Sequence, residues 1–585
     1  MKYFKIRTLS TSLIAVIFLF FVTVAFASAD VLGDKKTFFT NTSYDQSGRS
    51  SVPTTLRTVS DHAYFYTDDK YWSSLSSYGV NVITNAMKDL ASEFDNKIYP
   101  TETKFWGSEP NPGIDGDLRL TILLEDLTTG SGGYFETVNL APKSQATESN
   151  EREMIAANIE AVGSPFLKAF LGHEFQHLIS YNQKEIINKS TEDVWLNELR
   201  SEYSITLDGY NDYYTGSSLE RRVKDFLENS SDSLTEWPNV KTDYAIVVVF
   251  GEYLTDRFGP EILSQTLRSK SYGIPSLEEY LNARGASFAD VFMDWMAASY
   301  LNNRSLDPRF GYSKGGLNNI KVTPQSSIYF SSSSGDYNNG LFVKDWQPYW
   351  IEYNLQSISD RTKSVVLDIN GQAGQNFLVS YSAFYNNGQI KGGKIPLLNG
   401  KATGYIPNSQ DMPLNKVILM LTNGQKLIDF SKSEPSSNIN IRATMTDNAV
   451  IETQTLKDGV LIKRPGEKEI YVIWGKYKRY LNSDVIKLYG HLDPSKAIAV
   501  GPEVFDSYQT SNYVKYVNDE KVYAIWPPDE GSRGGTSTGI VSDGTKHWLH
   551  ITPQQWDASA RDWNAIFVIN DLELNVYKIG PDIIR

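Results

Sequence analysis

The fold class this sequence predicts is multidomain: an α+β domain, mainly helical with one small mixed sheet, followed by a β-sandwich and then by tandem β-rich repeats. Three observations predict it. Helical periodicity dominates from about 75 to 305, short apolar runs closing on Asn-Gly dominate from 341 to 447, and two stretches of the last 130 residues match each other. A chain of 585 residues has room for roughly three or four domains.

Residues 1–29 read as a secretory signal. Lys2, Lys5 and Arg7 come first, an unbroken apolar stretch runs around Leu13 to Phe21, and small residues close it at Ala25-Phe26-Ala27-Ser28-Ala29, which is the order export machinery reads. No second span of that kind follows. The expectation is therefore a secreted, extracellular chain with no stable membrane insertion once the signal is removed. The balance of 56 Lys and Arg against 69 Asp and Glu, a formal charge of −13, argues against nucleic acid as a partner. There is no cysteine, so stability must come from packed cores, and any zinc must sit on histidine and carboxylate ligands.

The domain from 30 to 325 is helical in texture. VNVITNAMKDLASEF, DYAIVVVFGEYLTDRF and FADVFMDWMAASYL carry helical spacing, and LRLTILL, Leu118 to Leu124, is its one clear strand. The Ser/Gly/Asn-rich stretch 326–340 reads as a linker. Beyond it, SVVLDING, NFLVSYSAFYNNG, IPLLNG and KVILMLTNG close on Asn-Gly at 370–371, 387–388, 399–400 and 423–424. Asn-Gly after an apolar, β-branched run signals a hairpin because both residues tolerate positive φ, which places a β-sandwich at 341–447.

Two β-rich repeats follow, at 448–515 and 516–585. Ile470-Tyr471-Val472-Ile473-Trp474 lies over Val522-Tyr523-Ala524-Ile525-Trp526, and Lys478-Arg479-Tyr480-Leu481 over Lys546-His547-Trp548-Leu549. The second copy carries a longer insertion, Pro527 to Thr545. Paired Tyr/Trp strands would offer flat aromatic faces to a cell-envelope or glycan surface. The expectation is that everything from about 341 onward localises the chain and takes no part in chemistry.

The chemistry gathers elsewhere. FLGHEFQHLISYNQ, Phe170 to Gln183, holds two of the six histidines, four apart, with a glutamate after the first. Ser164-Pro165 is a good helix start, since serine caps the first free N–H groups and proline loses no bond there. On that helix Phe166, Phe170, His173 and His177 share a face. Two imidazoles so placed reach one metal ion, and Glu174, rotated about 100°, flanks it. Downstream, TEDVWLNELRSEYSITLDGY offers a third ligand on a second helix, capped by Thr191 or Asp193. Glu198 and Glu202 are one turn apart there. One of them completes the ligand set and the other holds the N–H of a ligating histidine.

His-Glu-x-x-His followed by Trp-Leu-Asn-Glu-x-x-Ser-Glu resembles the thermolysin-like (gluzincin) metallopeptidases and, more narrowly, the hyicolysin-like branch of secreted neutral peptidases. The resemblance extends upstream through IYPTETKFWGSEPNPGIDGDLRLTILLEDL, GGYFETVN and SNEREMI, and covers roughly residues 75–305. It implies a zincin-type α+β domain with protein or peptide substrates. It also implies zinc on His173, His177 and Glu198, Glu174 as the general base, and Asn197 and Glu202 supporting the ligands. Two departures stand out. Where relatives commonly read Asn-Glu-Gly, this chain has Asn197-Glu198-Leu199-Arg200. No histidine occurs between 178 and 490, so the histidine that such enzymes place over the oxyanion is missing. Tyr244 is the expected substitute, with Tyr210, Tyr213 and Tyr214 as alternatives, because a phenol can donate to a developing negative oxygen.

The mechanism so implied is hydrolysis by a metal-activated water, with Glu174 moving its proton. An extended substrate would pair with the LRLTILL strand or the glycine turn Gly132-Gly133-Tyr134-Phe135. Two other readings compete with it. One is a cell-surface or cell-wall binding protein whose repeats carry the main function, and the other is a zinc amidase acting on cell-wall peptides. The intact Glu174 argues against the first, since a purely structural metal site has no use for it.

Overall fold

A computed structural model of the chain describes residues 29–584, apart from 398–399, 426–432, 448–455, 457, 465–468, 482, 490–491, 501, 517–518, 527–544 and 560. Residues 1–28, read above as part of a signal, and most of the insertion after Trp526 lie outside the described residues. The chain is multidomain, with several helices and five sheets among the described residues. It divides into two compact units, up to Ile186 and from Ile187 onward. No described helix is long and apolar enough to cross a membrane.

The first unit is built on a six-stranded mixed sheet. β1 (Lys35–Phe39), β2 (Ser51–Val59) and β3 (Ala63–Asp68) form an antiparallel run that precedes the region read above as helical. α1 (Asp69–Ser74), α2 (Ser77–Glu93) and α3 (Tyr99–Trp106) follow. β4 (Leu120–Glu125) then pairs in parallel with β3 and with β6 (Met154–Asn158), and β5 (Gly133–Phe135) closes the sheet antiparallel to β6. The order β1-β2-β3-β4-β6-β5 makes β4 an interior strand. The LRLTILL run therefore has both edges taken and cannot receive a substrate strand, whereas β5 has one edge free of sheet partners among the described residues. α4 (Pro165–Tyr181) packs against β5, β6 and α3.

The second unit opens with helices: α5 (Val194–Leu207), α6 (Ser218–Glu228), α7 (Lys241–Phe258), α8 (Glu261–Leu267), α9 (Gly273–Asn282) and α10 (Phe288–Leu301). Two facing sheets follow, built from β7 (Ser326–Tyr329), β8 (Tyr337–Lys344), β9 (Tyr349–Asn354), β10 (Lys363–Gly371), β11 (Phe377–Tyr385), β12 (Ile390–Lys394), β13 (Lys401–Ile406), β14 (Leu414–Asn423) and β15 (Ser436–Asp447). Their orders are β13-β10-β15-β8 and β12-β11-β14-β9-β7, around one apolar core from Phe330 to Met445. Residues 326–340, read above as a linker, hold β7 and the start of β8. A polar, glycine-rich composition there reflects edge strands with one wet face. The Asn-Gly pairs also divide. Gly388, at φ 82°, turns the hairpin between β11 and β12. Asn370-Gly371 instead ends β10, and the next strand lies in the other sheet.

The last two sheets repeat one plan. β16 (Leu461–Lys463), β17 (Ile470–Trp474) and β18 (Tyr477–Leu481) are followed by α11 (Ser483–Leu488), β19 (Ile498–Ala499), α12 (Pro502–Ser507) and β20 (Gln509–Thr510). β21 (Tyr513–Tyr516), β22 (Val522–Trp526), β23 (Thr545–His550), α13 (Pro553–Ala558), β24 (Ile566–Ile569), α14 (Asp571–Val576) and β25 (Lys578–Ile579) keep the same order and pairings. Lys478 donates to Phe505 O in the first, and Lys546 to Leu574 O in the second, at matching helix positions. Several of their aromatic side chains are buried, among them Tyr471, Tyr477, Trp556 and Tyr577, while Trp474 and Trp563 are exposed.

Candidate active site

α4 is buried on almost every side, which is unusual for a helix carrying two imidazoles. The hydroxyl of Ser164 accepts from Phe166 N at 3.2 Å and Pro165 fills the first helical position. Leu171, Phe175 and Leu178 are fully buried, and Phe175 packs on Phe94 and Tyr99. That packing fixes the helix axis and rotation. His173 and Glu174 are left only 7% and 8% exposed.

The two ε-nitrogens of His173 and His177 face each other at 3.2 Å, their rings nearly perpendicular. Two nitrogens each about 2.0–2.1 Å from one tetrahedral ion stand about 3.3 Å apart, so the pair is already spaced as two ligands of one metal. Among the described residues one group of histidine and carboxylate side chains can hold an ion: His173, His177 and Glu198, whose ligand atoms all lie within 4.8 Å of one another. Two neutral nitrogen donors and one anionic oxygen donor are the set that suits a catalytic zinc.

β5 runs close under α4, and its glycines explain how. A Cβ on Gly132 would meet the Phe170 ring at 2.4 Å. One on Gly133 would stand 2.7 Å from Ala156 O and 3.2 Å from Glu174 Cγ. Only a bare backbone fits between β6 and the helix. The strand is anchored by Tyr134, whose hydroxyl donates to Glu125 Oε2 at 2.9 Å and accepts from Asn41 N at 3.2 Å, while its ring stacks on Tyr44. Burial, with a further push from the Asp45 carboxylate, raises the Glu125 carboxyl to about 8. Arg49 binds Asp45 and Asp68 beside it.

In the second unit, α5 starts at Asp193, which occupies the cap position without a side-chain capping bond; its carboxylate accepts from Trp195 Nε1 instead. Glu198 and Asn197 are half-buried, and Asn197 O accepts from Ser201 Oγ. Glu202 is 5% exposed, and its carboxylate is ion-paired with the buried Arg222 of α6. The departure at Leu199-Arg200 has a packing reason. Leu199 fills the space over Gly251 of α7, where an added Cβ would lie 3.0 Å from its side chain. Arg200, wholly buried, ties α5 to Glu192, Leu263 O and Thr266. The small residue stands on the facing helix instead.

Tyr244 lies in the first turn of α7. Its hydroxyl donates to Asn239 Oδ1 at 3.0 Å, Arg222 lies 4.4 Å over its ring, and Trp237 meets it edge-on. Tyr213 by contrast is 89% exposed. Arg222 is the residue that sequence reasoning missed. Its signal was there: Leu219, Arg222, Val223 and Phe226 follow the i, i+3, i+4, i+7 spacing of a buried stripe, with an arginine in an apolar slot.

No known protein-family profile matches the chain. The chain is similar to the neutral metalloprotease ShpI of Staphylococcus hyicus, at 26% identity over 292 residues, which are 43% of this chain and 64% of that protein. The match thus spans less than two thirds of the relative's length. Among solved structures, the pre-peptidase C-terminal domain of a Bacillus anthracis collagenase aligns with 22% of the chain at 5% identity and TM-score 0.14, covering all of that domain. The mitogen YPM of Yersinia pseudotuberculosis aligns with 20% of the chain at 12% identity and TM-score 0.14, covering 88% of YPM. No argument rests on these two.

Proposed function

We propose that this chain is a secreted zinc-dependent endopeptidase of the thermolysin-like, hyicolysin-like kind. The observation that carries the reading is the convergence of His173, His177 and Glu198 ligand atoms within 4.8 Å beside a glutamate, Glu174, held on the same buried helix. The likeness to a neutral metalloprotease supports a metallopeptidase in general. When bound, zinc supplies the Lewis acidity that polarises a carbonyl and acidifies water.

The chain's own residues do the rest. Glu174 takes the proton of the attacking water and hands it to the leaving amine, as a positioned general base and then acid. β5 offers its free edge to an extended peptide, whose backbone would run beside Gly132 and Gly133. Tyr244, with Arg222 beside it, turns its single O–H from Asn239 Oδ1 to the oxygen on which negative charge develops. Glu202 holds the arrangement of α5 through Arg222. The tandem units attach the enzyme to a cell-envelope or glycan surface through exposed aromatics such as Trp474 and Trp563.

Metal analysis and casein digestion on the full chain and on Glu174→Gln test the reading. The variant is expected to keep its zinc while hydrolysis falls at least about 10²-fold, the scale of a positioned base. Unchanged digestion by Glu174→Gln would remove the mechanism.

A further inference from the structure

The loop entering α7 is joined to the two-sheet body at Ser231 and at each residue from Ser233 to Glu236. Ser231 Oγ donates to Pro348 O at 2.7 Å, and Gln347 Nε2 to Ser231 O at 2.7 Å. Ser233 Oγ donates to Asp345 O at 2.6 Å, Leu234 N to Trp346 O at 3.1 Å, and Thr235 Oγ1 to Glu434 Oε1 at 3.0 Å. Glu236 accepts from Lys344 Nζ at 2.6 and 2.8 Å and from Glu434 N at 2.9 Å. Ser233, Leu234, Thr235 and Glu236 are at most 2% exposed, so these bonds form away from water, where leaving one unmade is costly.

The other side of this joint is equally fixed. Trp346, at a left-handed φ of 49°, is buried edge-on against Phe288 and Phe292 of α10, and its backbone N–H donates to Asn423 O at 2.8 Å. A bulky residue stays in that conformation only where its surroundings hold it. The loop continues directly into the groups around Tyr244: Trp237 packs on its ring and Asn239 accepts from its hydroxyl.

We propose that Lys344 and Glu236 are positioning residues for the reaction, through which the two-sheet body sets Tyr244 and Arg222. This rests on the peptidase reading above. The physical reason is the buried ion pair. Glu236 is 2% exposed, and burial pushes its carboxyl up while the Lys344 ammonium and Glu434 N hold it down. Without Lys344 this buried carboxyl loses the cation that ties it to the two-sheet body, and the 231–239 loop loosens from its seat, Trp237 and Asn239 with it. Tyr244 then loses its resting bond to Asn239 and the edge-on contact with Trp237 that set its ring and hydroxyl.

Steady-state kinetics on a short peptide with full-length Lys344→Met, Lys344→Arg and Tyr244→Phe test this, with zinc content and amide exchange of 231–240 as readouts that do not depend on turnover. Lys344→Met is expected to lower kcat at least about tenfold with KM within about twofold and zinc unchanged. Exchange in 231–240 should be faster even in the metal-free protein, and Lys344→Arg should restore most of the rate. The double variant Lys344→Met/Tyr244→Phe should be no slower than the slower single variant, since both act through one group. Wild-type kcat in Lys344→Met while Glu174→Gln is inactive would overturn the proposal and leave the peptidase reading standing, as would losses that simply multiply in the double variant. Full hydrolysis by Glu174→Gln would instead take down the reading and this proposal with it. Should Lys344→Met not fold, Gln347→Ala removes one bond of the same joint, and the same fall in kcat or its absence decides.

Discussion

His177 and Glu198 differ from Glu202 in what they face, and the difference is measurable. In the proposed site the first two give a lone pair to the ion, whereas Glu202 has the Arg222 guanidinium as its partner. His177→Ala and Glu198→Ala should each abolish zinc binding in a chelator competition, and Glu202→Ala should weaken it only about 10–100-fold, as supporting contacts do. Zinc kept by Glu198→Ala and lost by Glu202→Ala would exchange the two roles. Glu125 makes a separate prediction about pH. Its carboxyl, ordinarily near 4.5, is raised to about 8, chiefly by burial. The folded chain therefore holds a proton that the unfolded chain has released, and stability falls as pH rises between about 4.5 and 8. Glu125→Gln still accepts from Tyr134 but does not ionise. Its Tm relative to wild type should climb from pH 5 to pH 8, and a constant difference would show that Glu125 is not the titrating group.

Secondary elements were legible to unequal degrees. α4 was plain, because a capped start and an apolar run fix a helix locally. β4 was plain too, but its place was not: an apolar run reads the same at an edge and in the interior, and only the parallel pairing with both β3 and β6 takes its edges. β5, three residues long, has too little pattern to be read as a strand at all. Gly133 and the Gly132 before it are the clue, and they matter because of what α4 places above them. Gly133→Ala should force β5 away from Ala156 O and Glu174. We expect kcat/KM on a peptide substrate to fall about 10–100-fold, in line with small misplacements at a reacting centre, with zinc retained. Wild-type kcat/KM in that variant would mean that substrate does not use this edge.

For the molecule as a whole, the contacts of 231–236 move the proposed boundary of the catalytic body from about 340 to 447. The core of the two-sheet body closes within residues 330–445, so a chain ending after Asp447 should fold and cleave short peptides with unchanged kinetics while losing adhesion to envelope or polymer. A chain ending near Tyr337 should be inactive, because it bares the buried loop and Glu236. Equal activity of the two would restore the boundary at 340.

The sequence by itself determined what depends on neighbours along the chain: the spacing of His173, Glu174 and His177 on one helix, the candidate glutamates one turn apart on another, the change of texture near 340 and the matched strands near the end. Each is set by local periodicity, capping and composition. The tertiary structure alone decided which partners those groups meet. It gave Glu202 to Arg222, set Leu199 over Gly251, made the linker into β7 and β8, sent the chain from one sheet to the other after Asn370-Gly371, and bonded the 231–236 loop to residues more than a hundred positions away. Those pairings are contacts between segments distant in sequence, chosen by burial and by the cost of leaving a buried charge or N–H without a partner, and no short stretch of residues records them.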